Sequence, residues 1–170
     1  IPLWFARGRR RLFYHRAVVW DADRHAVENN LDLLRADGMT VFKRELVLFT
    51  DPASEAEADS FITKAKIGRR GIVGMHPGVS KPLFWPVERF AETARWLTSR
   101  DFAVVLFALP GERETIAPIL AQPVIIADGL PFLTVCAIIR RCAIVFTSDP
   151  GLGHAAAALS VPTLTVLGNG

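Results

Sequence analysis

At 170 residues, with 51% hydrophobic side chains and a mean hydropathy of +0.28, the chain has apolar material for one core and part of a second. No apolar run reaches the roughly 18 to 20 residues of a membrane-spanning helix, and the best stretch, Leu130 to Ile139, is interrupted by Pro131, so a globular domain without a transmembrane anchor is expected. A net charge of +3 and a pI of about 9.2 favour an anionic partner without naming one, and no nucleic-acid partner is expected.

The first residue is Ile1, with no signal-peptide pattern after it, and the last three, Gly168-Asn169-Gly170, directly follow a strand-like run. Both ends are therefore expected to be cuts in a longer protein. The run Arg7-Gly8-Arg9-Arg10-Arg11 reads first as a solvated turn and second as a contact with acidic lipid or glycan. A helix is predicted from about Arg24 to Ala36, capped by Gly38, followed by a strand-like Val41 to Phe49 and a helix opened by Asp51-Pro52 and running toward Lys64. Residues 1–66 lack a complete alternating set and read as the end of a preceding domain plus a connector.

From Ile72 onward, short apolar runs alternate with amphipathic segments, the pattern of a parallel sheet wrapped by helices. The predicted order is strand Ile72–Met75, helix Pro86–Ser99, strand Phe102–Phe107, helix Glu112–Leu120, strand Val124–Ala127, helix Phe132–Arg141 and strand Ala143–Thr147, then a small-residue helix His154–Leu159 and strand Thr163–Leu167. In the first of these helices Val87, Phe90, Ala91, Ala94 and Leu97 recur at the spacing of one helical face. Five strands with intervening helices make residues 67–170 an α/β, Rossmann-like, doubly wound parallel sheet, truncated at its C-terminus. Cys136, in a helix, and Cys142, at the mouth of the next strand, read as buried small hydrophobes in a reducing compartment and not as a metal site.

Three loops at strand ends carry candidate chemistry. In Thr147-Ser148-Asp149-Pro150-Gly151-Leu152-Gly153-His154, the start of a helix after a buried strand favours phosphate, and Gly151 and Gly153 permit close backbone approach. An ordinary strand-to-helix turn capped by Asp149 is the bland alternative. The same string fits a loose G-x-G-x-x-A dinucleotide pattern, but the acidic residue expected after the next strand is replaced by Gly168-Asn169-Gly170, which ranks an NAD-dependent oxidoreductase lower. In His76-Pro77-Gly78-Val79-Ser80-Lys81, Gly78 frees the backbone, Ser80 can donate to phosphate and Lys81 supplies charge; a surface turn is the alternative. In Pro110-Gly111-Glu112-Arg113-Glu114, Glu112 can accept from ribose hydroxyls or simply favour a helix start.

Taken in order, His76-Pro77-Gly78, Trp85-Pro86 with Arg89-Phe90-Ala91, Gly111-Glu112-Arg113-Glu114 and Asp149-Pro150-Gly151 through His154-Ala155-Ala156-Ala157, then Pro162 and Gly168, resemble the donor-binding domain of the heptosyltransferases of glycosyltransferase family nine. Those enzymes have two facing Rossmann-like domains of the GT-B type, and the segment His25 to Gly38 is similar to the stretch that closes their first domain. The resemblance implies an inverting, metal-independent glycosyltransferase with no cofactor, taking ADP-heptose as donor for the lipopolysaccharide inner core. It implies that Asp149, Gly151 and His154 hold the donor's diphosphate and sugar, with Asp149 on sugar hydroxyls, and that Glu112 lies near the nucleoside. Ser80, Lys81, Gly151 and His154 are then expected to stabilise the leaving diphosphate. The catalytic base is expected in a first domain preceding Ile1, so the chain alone should be inactive. Other implied partners are an acidic glycolipid acceptor at the membrane surface, with a cytoplasmic location or a peripheral one on the inner membrane. Two positions depart from the family pattern: Leu83-Phe84 stand before Trp85 where a basic residue is common, and Pro150 replaces a small hydroxyl residue and removes one N–H donor. A non-catalytic nucleotide-binding module stays open as the alternative.

Overall fold

The computed structural model describes residues 3–4, 16–42, 45–78, 85–109, 111–148 and 150–166, which divide into two compact units, Ile1–Glu45 and Leu46–Gly170. In the first unit two short strands, β1 (Leu3–Trp4) and β2 (Arg16–Ala17), pair in parallel, and α1 spans Ala26–Ala36. Gly38 ends α1 as its sequence position predicts: at φ +80° it lets its own N–H reach Arg35 O (3.0 Å) and the Met39 N–H reach Leu34 O (3.0 Å), which satisfies two carbonyls of the last turn. Asn29 is fully buried, and its amide donates to the carbonyls of Asp21 (2.8 Å) and Arg24 (3.2 Å) while accepting from the Asp21 N–H (2.9 Å). The Arg7–Arg11 run lies outside the described residues. Residues 41–42 and 45–49 form no strand, contrary to the expectation for Val41–Phe49. Phe42 and Phe49 are exposed there, and among the described residues the segment has no ladder partner to hold it extended.

The second unit opens with α2 (Pro52–Lys64), started by Asp51, whose carboxylate accepts from the Ser54 N–H at 2.7 Å, with Pro52 in the first turn. A five-stranded, all-parallel sheet follows: β3 (Ile72–His76), β4 (Ala103–Ala108), β5 (Ile125–Asp128), β6 (Ile144–Thr147) and β7 (Thr163–Thr165), in the order β5-β4-β3-β6-β7. β3 and β4 are buried along their whole length, which is why they read as continuous apolar runs and not as alternations. Helices α3 (Val87–Thr98) and α4 (Ala117–Leu120) cover one face, where Phe90, Ala94, Ile116 and Ile119 meet Met75, Val104, Leu106 and Phe146. Helices α2, α5 (Phe132–Ile139) and α6 (Pro150–Ala158) belong to the other face, where Ala58, Ala137, Ile138 and Ala156 meet Ile72, Val105, Phe107 and Val145. The sheet is thus doubly wound.

Two helices begin elsewhere than the pattern predicts. The stretch 112–116 is a turn and only Ala117–Leu120 is helical, because Pro118 has no N–H and its ring would strike the carbonyl of Glu114 in a helix entered from Glu112. Conversely, α6 starts at Pro150, four residues before the predicted His154, since proline is well tolerated at a first helical position. α2 packs along α5 and is fastened by ions: Arg141 donates to Glu55 (2.6 Å) and Asp59 (2.7 Å), Arg140 donates to Glu55 (3.0 Å), and the Thr50 hydroxyl donates to the same Glu55 carboxylate. The Thr50 hydroxyl and the Arg141 guanidinium hold the Glu55 carboxyl below its ordinary value of 4.5. Its contribution to stability is therefore complete above that value and is lost as pH falls through the lower folded-state value.

Both cysteines are buried, and burial pushes the Cys142 thiol up to about 12. Neither thiol should react with iodoacetamide at pH 7.5 until denaturant unfolds the sheet; rapid labelling of the folded chain would contradict this packing. Beside Cys142 sits Gly74, where an added Cβ would lie 2.9 Å from Phe107 Cε2, 3.2 Å from Cys142 Sγ and 3.3 Å from Val145 Cγ2. Gly74→Ala should therefore lower stability by about 1–3 kcal/mol in urea unfolding. Glu55→Gln should cost about 1 kcal/mol at neutral pH, with the difference from the unaltered chain vanishing in acid.

Candidate functional site

The chain progresses outward in one direction from β3 through β4 to β5, then α5 carries it back across the sheet so that β6 lies on the other side of β3. The order of travel reverses between β3 and β6. In open α/β sheets, ligands bind in the crevice outside the carboxyl ends of the strands at such a reversal. Here His76 is in register with Thr147, so the segments that leave β3 and β6 emerge side by side. Ser148, itself buried, binds them together: its N–H donates to His76 O (3.2 Å) and its hydroxyl donates to Pro77 O. Gly78 follows at φ +64°, a backbone conformation that favours glycine.

On the far side of this crevice α6 begins. Its first turn presents backbone N–H groups and the positive end of the helix dipole to the strand ends, an arrangement that favours an anion. Pro150 in that turn contributes no N–H, as the sequence implies, although the loss costs the helix itself no intrahelical bond. The helix lies close against the sheet because of Gly153: a Cβ there would stand 3.4 Å from Thr165 Oγ1 and 3.6 Å from Thr147 Cγ2. Gly153 is buried, its Cα facing β6 and β7, so it seats the helix; Gly151 and His154 are the exposed residues of this turn.

Next to the crevice, above the ends of β3, β4 and β5, is a pocket of about 280 Å³. Its walls are Phe107 to Leu109 from β4, Ala127, Gly129 and Leu130 after β5, Phe132 and Val135 of α5, and Leu152 of α6, with His76 as the polar group that lines it. Mostly apolar walls with a few placed polar groups are what small-molecule sites present. At its rim the Leu109 N–H donates to the Glu112 carboxylate (2.7 Å), while the Glu112 N–H returns a bond to Leu109 O (3.2 Å), with Gly111 at φ +94° making the turn between them. Arg113 then donates through Nε to Asp128 at the end of β5 (3.0 Å), which joins the loop after β4 to the loop after β5. A second hollow, on the α3 face of the sheet between Trp96, Leu97, Ile144 and Leu164, is almost wholly apolar.

The structure therefore brings Gly78, Glu112, Gly151 and His154 to one rim and places Gly153 just beneath it, whereas Ser80, Lys81 and Asp149 lie outside the described residues. Leu83, one of the two departures, lies outside them as well. The Trp85-Pro86 and Phe90 pieces turn out to be packing elements: Trp85 meets Phe90 edge-on at 4.9 Å and Phe146 at 5.4 Å, which anchors the start of α3 to β6. Sequence reasoning did not single out the pocket walls at Leu109, Gly129-Leu130, Phe132 and Leu152. The signal available was Asp128-Gly129-Leu130-Pro131, a fourth turn at a strand end, where Gly129 adopts φ +63°.

Residues 3–170 match the family model described as glycosyltransferase family 9 (heptosyltransferase). Lipooligosaccharide heptosyltransferase 2 of Haemophilus influenzae is 30% identical over 152 residues, 79% of this chain and 42% of that protein. Among solved structures, a glycosyl transferase family 9 protein from Veillonella parvula superposes with a TM-score of 0.80 at 24% identity, over 90% of this chain and 46% of that one. The E. coli ADP-heptose lps heptosyltransferase II gives 0.57 at 26% identity, over 69% and 38%. E. coli heptosyltransferase WaaC with ADP-2-deoxy-2-fluoro heptose gives 0.61 at 22% identity, over 91% and 48%. The chain spans less than half the length of these relatives.

Ser148→Ala removes the hydroxyl from a buried carbonyl at the centre of this rim. It should leave the circular dichroism spectrum intact and lower the urea midpoint by the equivalent of about 1–2 kcal/mol.

Proposed function

This chain belongs to glycosyltransferase family 9, the heptosyltransferase family, and on that premise we propose that it supplies the donor-binding half of an inverting, metal-independent enzyme that transfers heptose from ADP-heptose to the lipopolysaccharide inner core. The observation that carries this reading is the junction, on one rim of one sheet, of an apolar pocket beside the β3–β5 ends and the start of α6. A nucleoside needs the first and a diphosphate the second. The ligand of the WaaC structure, an ADP-linked fluoro-heptose, has both parts.

In this reading the base and ribose occupy the pocket, with Glu112 at its rim for the ribose hydroxyls. The diphosphate lies across the crevice between Gly78, Ser80 and Lys81 on one side and Gly151 and His154 on the other, and Asp149 binds sugar hydroxyls. An acceptor hydroxyl attacks the anomeric carbon as its bond to the phosphate oxygen breaks. ADP leaves with the electron pair, and the proton passes to a general base contributed by the acceptor-side half. The dipole of α6 and Lys81 stabilise the charge that develops on the leaving diphosphate. Residues 67–170 carry the donor-binding sheet, the connector through α2 packs on it, and the residues before α2 are the end of the acceptor-side half. An acidic glycolipid acceptor implies work at the inner membrane surface from the cytoplasmic side; no helix among the described residues is long and apolar enough to cross a membrane.

One observation favours a second reading, a nucleotide-binding module without chemistry: Pro150 deprives the helix start of an N–H where the anion would sit. Calorimetric titration with ADP, ADP-glucose, UDP and NAD tests the donor assignment. ADP and the ADP-sugar should bind in preference to UDP and NAD; His154→Ala should weaken both ADP and the ADP-sugar, and Asp149→Ala the ADP-sugar, by about tenfold or more. Preference for NAD, or affinity unchanged in both variants, would contradict it.

A further inference from the structure

We infer that His76 determines ligand specificity in the pocket: its Nε2 is a fixed hydrogen-bond acceptor that selects a nucleoside presenting an N–H or O–H donor. The inference rests on the reading of the pocket as the nucleotide site and adds to it a residue and a rule of selection.

The argument starts at Nδ1. His76 is the last residue of β3, only 8% exposed, and its Nδ1 lies 2.8 Å from the carbonyl oxygen of Phe107 on the neighbouring strand. A carbonyl can only accept, so Nδ1 carries the hydrogen, and in the neutral ring Nε2 is left with a lone pair. Among the described residues that is the one bond the imidazole makes. Among the described residues, no buried side-chain nitrogen or oxygen lacks a partner. Nε2, without a partner among the described residues, therefore reaches accessible surface, and His76 borders the pocket.

Its surroundings there are Phe107, Leu130, Phe132, Val135 and Leu152, none of which has a side-chain group able to donate to it. Before a ligand enters, water can satisfy Nε2. A ligand that displaces this water without supplying a donor leaves a lone pair unpaired among apolar walls, which is the arrangement by which sites reject close analogues. A histidine that served only to staple β3 to β4 through the Phe107 carbonyl would not distinguish one ligand from another. Selection between ligands is thus the property that separates the two roles.

The test is a set of titrations of the 170-residue chain with ADP and three analogues that each lack one donor: purine riboside 5′-diphosphate, 2′-deoxy-ADP and 3′-deoxy-ADP. At least one analogue should bind on the order of tenfold more weakly than ADP. His76→Phe should reduce that ratio to near one, and the identity of the discriminated analogue tells whether the base or the ribose supplies the donor. His76→Asn, whose amide can still donate to the Phe107 carbonyl, gives the same comparison if the Phe variant does not fold. A ratio that persists in the variants, or no ratio in the unaltered chain, overturns the role of His76 while leaving the nucleotide site standing. Failure of every nucleotide to bind the unaltered chain overturns the site reading itself, and the inference with it.

Discussion

The parallel pairing of β3 with β6 is the constraint on which the rest of the second unit depends. It joins Val73 to Ile144 and His76 to Thr147, residues that the chain can bring together only after it has built β4 and β5 and returned through α5. On one face of this pairing Phe107, Cys142 and Val145 fill the space that a side chain on Gly74 would need. Once the pairing is made, one face is closed by α3 and α4 and the other by α5 and α6, and the two cores are complete. The same pairing sets the ends of β3 and β6 level, so Ser148 can bind the carbonyls of His76 and Pro77 and tie the two departing segments together.

The chemistry follows from where the strands stop. A parallel sheet delivers every following helix to the same edge of the strands, so the start of α6 and the apolar walls above β4 and β5 share one rim without any special arrangement of charge. The loop after β4 is held by the reciprocal bonds of Leu109 and Glu112 and by the link from Arg113 to Asp128. These contacts shape the pocket mouth before any ligand arrives, and such preorganisation favours affinity. The polar group at its base, His76, is held by the neighbouring strand in the same way.

Much of this was legible in the sequence. The five strands, the helical face of Val87 to Leu97, the Gly38 cap and the two buried cysteines all follow from local patterns, because each depends on neighbours in the chain. The family resemblance went further than periodicity alone could, and the family match bears out the family. What did not follow depends on contacts between distant residues. That Gly153 seats α6 depends on the threonines of β6 and β7 beneath it. Trp85, a piece of the family resemblance, is a packing anchor through contacts with Phe90 and Phe146. The late start of α4 is set locally by Pro118, whereas the pocket walls, drawn from β4, α5 and α6, have no shared sequence signal.

The central claim is that a nucleotide binds on the rim formed by the ends of β3, β4, β5 and β6. Its most direct test is an amide chemical-shift map of the ¹⁵N-labelled chain during titration with ADP. The account predicts that the perturbed amides cluster at Gly78, at Leu109 to Glu112, at Gly129 and Leu130, and at Gly151 to His154, with the α3 face unaffected. Perturbations concentrated instead around Trp96, Ile144 and Leu164 would contradict it and move the site to the other face of the sheet.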